Sequence, residues 1–341
     1  MRAFICSAGS EPALAGELER AGLTARQLAS GVVAIEANES IDPVFARQAL
    51  PDATIVDATS VRALAEAAFA ATEAAIDRWP GPFTLHALAH AEPPPGLGSR
   101  AVLIGRELAG LLAERRRRAW RRHRPLDEAA AELDARWLLI QIVALGRDRL
   151  VVSAAAPQPL PAGGLDLAPW PGGDAPVEID RAPPSRAYQK LEEAWAWMGT
   201  APRPGQLCVD LGAAPGGWTA TALKRGARVL AVDRAPLEPP VSRHPNVTAV
   251  ISNAFTYAPP APVDWLLCDV VCEPPRSLAI CDSWLSRGLC RNLVVTVKFK
   301  GRAGYGILGD LPAMFARHHP VFARTKQLAH NKNEVTILIR K

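Results

Sequence analysis

Val209-Asp210-Leu211-Gly212-Ala213-Ala214-Pro215-Gly216-Gly217-Trp218 decides the fold of the second half of this chain. An apolar strand runs into a loop of very small residues, and a helical segment starts at once at Trp218. The next apolar run, Arg228-Val229-Leu230-Ala231-Val232, ends in Asp233. That is about 20 residues downstream, where a carboxylate meets a ribose hydroxyl in nucleotide-binding α/β sheets. Small residues let the backbone approach a ligand closely, and a helix N-terminus offers N–H groups with no intrahelical partner. The stretch predicts a site for a nucleoside-type cofactor.

Around it, apolar runs and helical segments alternate. Helices are expected at 186–197, 218–225 and 277–287, and strands at 207–211, 228–232, 247–251, 264–268 and 292–297. Such alternation implies a parallel sheet covered on both faces. Two further strands, 321–328 and 335–340, follow one another across His330-Asn331-Lys332-Asn333 and read as an antiparallel hairpin closing the sheet.

Residues 1–155 alternate as well, with strands at 3–6, 32–35, 54–56, 137–145 and 150–155 and helices at 11–21, 62–78 and 107–122. They read as an α/β module without a catalytic motif, suited to binding or positioning. Residues 156–184 are dense in proline and glycine, which sustain neither a helix nor a central strand, and read as a linker. The expected class is therefore α/β, with domains at 1–155 and 185–341.

Composition narrows the classes further. With 341 residues, 49% of them hydrophobic, the chain is long and apolar enough for two cores. No apolar run reaches the roughly 18 residues of a membrane helix, and the N-terminus lacks the apolar stretch of a signal peptide. A cytoplasmic protein without a membrane partner is expected. Six cysteines in mostly apolar contexts, without Cys-x-x-Cys pairs, read as buried reduced thiols. Cys268, Cys272, Cys281 and Cys290 have the wrong spacing for zinc, so no metal is expected.

The net charge of +5 mildly favours a polyanionic partner. Arg115, Arg116, Arg117, Arg118, Arg121, Arg122 and Arg124 crowd one expected helix, either as a solvated face or as a patch for RNA phosphates. Lysine is scarce: seven against thirty-two arginines, and none before Lys190. In such a chain a lysine can do what arginine cannot, which is to lose its proton near neutral pH.

The loop 212–217 is not a dinucleotide fingerprint, because Ala214 replaces the second glycine and Pro215 removes an amide donor. S-adenosylmethionine has no phosphate to cradle, and the loop favours it over another nucleotide or a purely structural turn. Asp269 follows one expected strand, Lys298 follows another, and both belong at the carboxyl ends of a parallel sheet, where ligands bind. Lys190 lies on the helix before the first strand of the sheet, and Glu334 opens the last. Taken singly, Lys190 could pair with Glu193 and Glu334 with Lys332. Beside a cofactor loop, the four read as a site.

With Ser185-Arg-Ala-Tyr-Gln-Lys-Leu-Glu-Glu-Ala194, Asp264-Trp-Leu-Leu-Cys-Asp269, Trp284-Leu285, Gly288-Leu-Cys-Arg291, Lys326-Gln-Leu-Ala-His330 and Glu334-Val-Thr336, the loop resembles the FtsJ-type RNA 2'-O-ribose methyltransferases. Within that family the chain is most similar to the subfamily that methylates a cytidine ribose in bacterial 23S ribosomal RNA, and Phe45-Ala-Arg-Gln48 resembles it too. The resemblance implies a Rossmann-like S-adenosylmethionine-dependent methyltransferase sheet after a THUMP-like RNA-binding domain. It implies a catalytic tetrad at Lys190, Asp269, Lys298 and Glu334. Cofactor contacts would fall on Ser185, Gly212, Ala214, Pro215, Gly216, Gly217, Trp218, Asp233, Asn253 and Asp269. RNA contacts are expected at Arg115, Arg116, Arg117, Arg118, Arg121 and Arg122.

Two departures stand out: Asn253 replaces the family's usual aspartate, and residues 299–306 are glycine-rich rather than basic. A ribose hydroxyl is a poor nucleophile, so a base must take its proton, and Lys298 is the candidate. Burial or a neighbouring cation such as Lys190 would favour its uncharged form, while Asp269 and Glu334 oppose it. Base methylation would use Asp/Asn-Pro-Pro-aromatic, which Glu273-Pro274-Pro275-Arg276 matches poorly. Other readings are a non-catalytic RNA-binding protein with a decayed methyltransferase fold, a methyltransferase acting on another RNA, and a nicotinamide oxidoreductase.

Overall fold

Alternating apolar strands must bury a face, and the chain does so in two separate units: residues 1–161 with 165–174, and residues 162–164 with 175–341. The structure, a computed structural model, describes residues 1–37 and 41–341.

The N-terminal unit holds two four-stranded sheets. In the first, β1 (Arg2–Ile5) lies between β3 (Val32–Ile35) and β4 (Gln48–Leu50), with β2 (Ala25–Ala29) outside β3 and α1 (Glu11–Arg20) in the first connection. The second runs β5-β8-β7-β6: β5 (Thr54–Asp57), β6 (Phe83–Ala89), β7 (Leu138–Gly146) and β8 (Arg149–Ala155). On it pack α2 (Val61–Arg78) and α3 (Leu97–Arg115), through Leu64, Ala68, Ile104, Leu108, Ile140 and Ile142. Two short helices, α4 (Arg117–Trp120) and α5 (Leu126–Glu132), follow α3.

Three expectations change here. The single helix at 107–122 begins ten residues earlier and breaks at Arg116, which leaves the helical region at φ −127° and ψ 50°. Strand β6 was not foreseen, because Phe83-Thr-Leu-His-Ala-Leu-Ala89 carries a histidine in mid-run. His86 is fully buried there, and burial pushes its pKa down to about 4. The stretch expected as a linker does not stand apart: residues 165–174 belong to the N-terminal unit, where Arg2 bonds Asp166 at 2.8 Å and Gln48 exchanges two bonds with the backbone of Ala168.

The C-terminal unit is one seven-stranded sheet. In chain order it contains α6 (Tyr188–Met198), β9 (Leu207–Leu211), α7 (Gly217–Lys224), β10 (Arg228–Asp233), β11 (Val247–Ile251), β12 (Val263–Cys268), α8 (Pro274–Ser286) and β13 (Cys290–Lys298). A helix that was not foreseen, α9 (Leu311–His318), precedes β14 (Phe322–Lys326) and β15 (Glu334–Arg340). The strand order is β11-β10-β9-β12-β13-β15-β14, parallel from β11 to β13. The last two strands pair antiparallel, as expected, but β15 inserts between β13 and β14. The chain builds outward from β9 to β11, then crosses to β12. Beyond β9 and β12 lies the reversal point where open sheets bind ligands. The antiparallel register sets Glu334 directly opposite Lys298.

Candidate active site

Tight packing dictates the small residues of the loop after β9. Gly212 has φ +78°, and a Cβ there would lie 2.7 Å from Val270 Cγ2, just past Asp269. Gly216 has φ +120° and faces Val241, while a Cβ on Gly217 would sit 2.3 Å from Ser185 Oγ. Gly217→Ala should therefore cost roughly 1–3 kcal/mol, the usual range for overpacking. Ser185→Gly in the same chain should restore most of the loss in thermal unfolding.

Asp233 ends β10 with both oxygens engaged: Ala214 N–H donates to Oδ2 at 3.0 Å and Ala235 N–H to Oδ1 at 2.9 Å. Each oxygen keeps a lone pair for a ribose hydroxyl. Asp210, fully buried beneath the loop, accepts from Thr219 at 2.7 Å, and burial pushes its pKa up to about 7. The loop itself carries no lysine or arginine. Carboxylates without a basic loop side chain suit an uncharged ribose and a sulfonium better than a polyphosphate. The residues present thus fit S-adenosylmethionine.

Two expected contacts look different in space. Trp218 is only 3% exposed, and its indole N–H donates to the Ala187 carbonyl at 2.8 Å. Its indole is thus held within the fold, bracing the start of α6. Asn253 Oδ1 accepts from Phe255 N–H at 3.1 Å, a turn contact that still leaves one lone pair.

Lys190, Asp269, Lys298 and Glu334 come together at the carboxyl ends of β12 and β13. Lys190 Nζ donates to both Asp269 oxygens, at 3.1 and 3.0 Å, and to Glu334 Oε1 at 3.0 Å. Lys298 Nζ lies 2.9 Å from Asp269 Oδ1 and donates to the Asp269 carbonyl at 2.8 Å. The lysine side chains differ in access, 11% exposed for Lys190 against 22% for Lys298. Burial alone would lower the pKa of Lys190, but Asp269 and Glu334 outweigh it and the net direction is up. Burial likewise opposes ionisation of Asp269, yet Lys190, Lys298 and the Thr296 hydroxyl together hold its pKa below the ordinary value.

Two supporting residues escaped sequence reasoning. Thr296 Oγ1 donates to Asp269 at 2.5 Å; a polar residue inside Val294-Val-Thr-Val-Lys298, two before the lysine and so on its face of the strand, was the available signal. Glu193, fully buried on α6, accepts from the backbone N–H groups of Ala329 and His330 and contacts His330 Nδ1. It fixes the turn leading into Glu334. The simple Lys190–Glu193 pairing on one helix is absent among the described residues.

Elsewhere, Glu273-Pro274-Pro275-Arg276 starts α8, with Glu273 bonded to Lys300 and Arg276 stacked on Phe255. It offers no base-holding clamp. In the N-terminal unit, Arg115 makes two bonds to Glu66, and Arg116 bonds Glu73 and Asp77. These forks are occupied within the protein, so the arginine run is a weaker phosphate site than its count suggested. Arg122 bonds the Ile76 carbonyl, while Arg117, Arg118 and Arg121 are exposed and make no side-chain bond among the described residues. No helix is long and apolar enough to cross a membrane among those residues.

Residues 183–304 match the model of the FtsJ-like methyltransferase family, a span that includes Lys190, Asp269 and Lys298 but not Glu334. A protein of Xylella fastidiosa strain M12 named ribosomal RNA large subunit methyltransferase M is 32% identical over 222 residues, 63% of this chain and 61% of that protein. One of the same name from Pseudomonas syringae pv. syringae strain B728a is 38% identical over 187 residues, 51% of this chain and 52% of that protein. The chain thus spans between half and two thirds of these relatives' length. Among solved structures, a Burkholderia thailandensis N1-methyltransferase aligns at a TM-score of 0.34 with 21% identity, over 46% of this chain and 79% of that one, too distant to bear on function.

Proposed function

We propose, from the premise that residues 183–304 are an FtsJ-like methyltransferase domain, that this chain methylates a ribose 2'-hydroxyl of large-subunit ribosomal RNA. Large-subunit ribosomal RNA is the substrate in the relatives' names, and the 23S cytidine follows from the resemblance to that subfamily. The observation that carries the reading is the more exposed lysine, Lys298, held against Asp269 beside a cofactor loop closed by Val270.

Asp233 would hold the ribose diol of S-adenosylmethionine, Asn253 its adenine amino group, and the backbone of 212–217 with Ser185 its remaining edge. When bound, the cofactor supplies an electrophilic methyl group on a sulfonium. Lys298 would accept the proton of the 2'-hydroxyl, and Asp269 would pair with the resulting ammonium. Lys190 stays protonated between Asp269 and Glu334, so the carboxylate facing Lys298 is already partly neutralised. Thr296 and Glu193 keep Asp269 and the Glu334 turn in place. The N-terminal unit, read as THUMP-like, presents the RNA. Six free cysteines suit a reducing cytoplasm, where this substrate is made.

S-adenosylmethionine should raise the melting temperature of the protein, NAD should not, and Asp233→Ala should remove the S-adenosylmethionine effect. A shift with NAD instead would favour an oxidoreductase. Cofactor binding without transfer of a tritiated methyl group to ribosomal RNA would favour a non-catalytic RNA-binding protein.

A further inference from the structure

Two cavities of the N-terminal unit share one wall, the indole of Trp79. The first, about 360 Å³, is lined by Arg2, Arg78, Trp79, Leu138, Gln158 and Asp166 among others. The second, about 730 Å³, is lined by Trp79, Arg122, Arg124, Arg136 and Trp137, with Glu132 as its one carboxylate, among others. Each contains a guanidinium that the protein only half satisfies. Arg2 donates through Nη2 to Asp166 and Arg122 through Nη2 to the Ile76 carbonyl, but the buried Nε of each has no partner among the described residues. A buried donor without an acceptor is costly, and one such guanidinium lines the hollow on each side of the ring.

The charge balance points the same way. Arg78 is exposed with no acidic partner among the described residues, and Arg122 answers to a neutral carbonyl. Arg124 reaches Glu128 only at 3.5 Å, and Arg136 pairs with Asp134 while remaining 82% exposed. Arg78 and Arg122 thus differ from Arg115 and Arg116, whose forks are held by Glu66, Glu73 and Asp77, while Arg136 is held by Asp134 through Nε and Nη2 at an exposed position. Trp79 is half-buried, and its indole N–H donates to the Arg136 carbonyl at 2.9 Å, which fixes the ring between the two hollows. A fixed aromatic ring flanked by arginines is how proteins hold unpaired nucleotides: bases stack on the ring and phosphates meet the cations.

We propose that this groove binds single-stranded RNA, with one unpaired base on Trp79 and neighbouring phosphates on Arg78, Arg122 and Arg136. The proposal rests on the RNA-methyltransferase reading and names the surface that grips the substrate, in place of the Arg115–Arg118 run.

The test measures binding of a fluorescein-labelled oligouridine of about 12 nucleotides, a length within reach of single-strand sites, to the full chain by anisotropy across a salt series. Trp79→Ala should weaken binding roughly tenfold or more, and Trp79→Phe, which keeps a ring, should recover most of it. The exposed pair Arg78→Gln with Arg136→Gln tests the groove without touching the core. It should flatten the slope of log affinity against log salt by about 1.4, two phosphates at about 0.7 each. Arg117→Gln with Arg118→Gln should have the smaller effect. Wild-type affinity and slope in the groove variants, or a duplex RNA competing as well as the single strand, would overturn the groove. A wild-type chain that neither binds nor methylates RNA would overturn the function beneath it; methylation that persists while the groove variants bind normally overturns the groove alone.

Discussion

Lys298→Ala should abolish methyl transfer, lowering kcat by about 10²- to 10⁴-fold, while S-adenosylmethionine binding stays within a few-fold of wild type. The side chain ends 2.9 Å from Asp269 and makes no hydrogen bond to the loop 212–217 or to Asp233 among the described residues, while Lys190 and Thr296 still hold Asp269, so its loss should cost the proton acceptor far more than the cofactor site. Lys298→Arg should be nearly as inactive, because a guanidinium keeps its charge and cannot accept the proton. Single-turnover transfer of a tritiated methyl group, with calorimetric titration of the cofactor, separates the two effects. Transfer near the wild-type rate in either variant would assign the base elsewhere.

Lys190→Met should be costlier to the fold than to the cofactor site. The Lys190 side chain is buried, and its ammonium lies between two carboxylates, Asp269 at 3.0 Å and Glu334 at 3.0 Å. Removing it leaves Glu334 buried without a counter-charge, a type of change that costs roughly 3–5 kcal/mol. In the wild type, Asp269 has a lowered pKa, so its contribution is present above the unfolded carboxylate value and fades as pH falls through the folded one. Without the Lys190 charge, part of what lowers the Asp269 pKa is lost, so the variant keeps less of this stabilisation. The stability gap between the two proteins should therefore be widest near neutral pH and narrow as pH falls through the carboxylate range in urea unfolding. A gap of constant size would mean that the Lys190–Asp269 pair adds no pH-dependent stability.

The site was legible because its members stand where apolar runs stop. Asp269 and Lys298 each follow a buried strand, and a polar residue there has only the crevice to face. Asp233 and the glycine loop were legible for the same reason. The indole partner of Trp218 was not legible from the loop, because it lies at the start of α6, thirty-one residues earlier in the chain. Glu193 was hidden by a local alternative, the pairing with Lys190, whereas its partners lie on a turn 136 and 137 residues away. In the N-terminal unit, β2 and β4 are short strands with arginine, glutamine and alanine, and their pairing with β3 and β1 rather than any periodicity makes them strands. That Arg115 and Arg116 are engaged was not legible in the run itself, because the glutamates and aspartate that hold them come from α2, some forty residues earlier.

The most direct measurement is to incubate the protein with tritiated S-adenosylmethionine and unmodified 23S ribosomal RNA, digest the RNA to nucleosides, and find where the label sits. Label migrating with 2'-O-methylcytidine, absent with Lys298→Ala, is the predicted result. Label on a base, or label undiminished in that variant, would contradict the account.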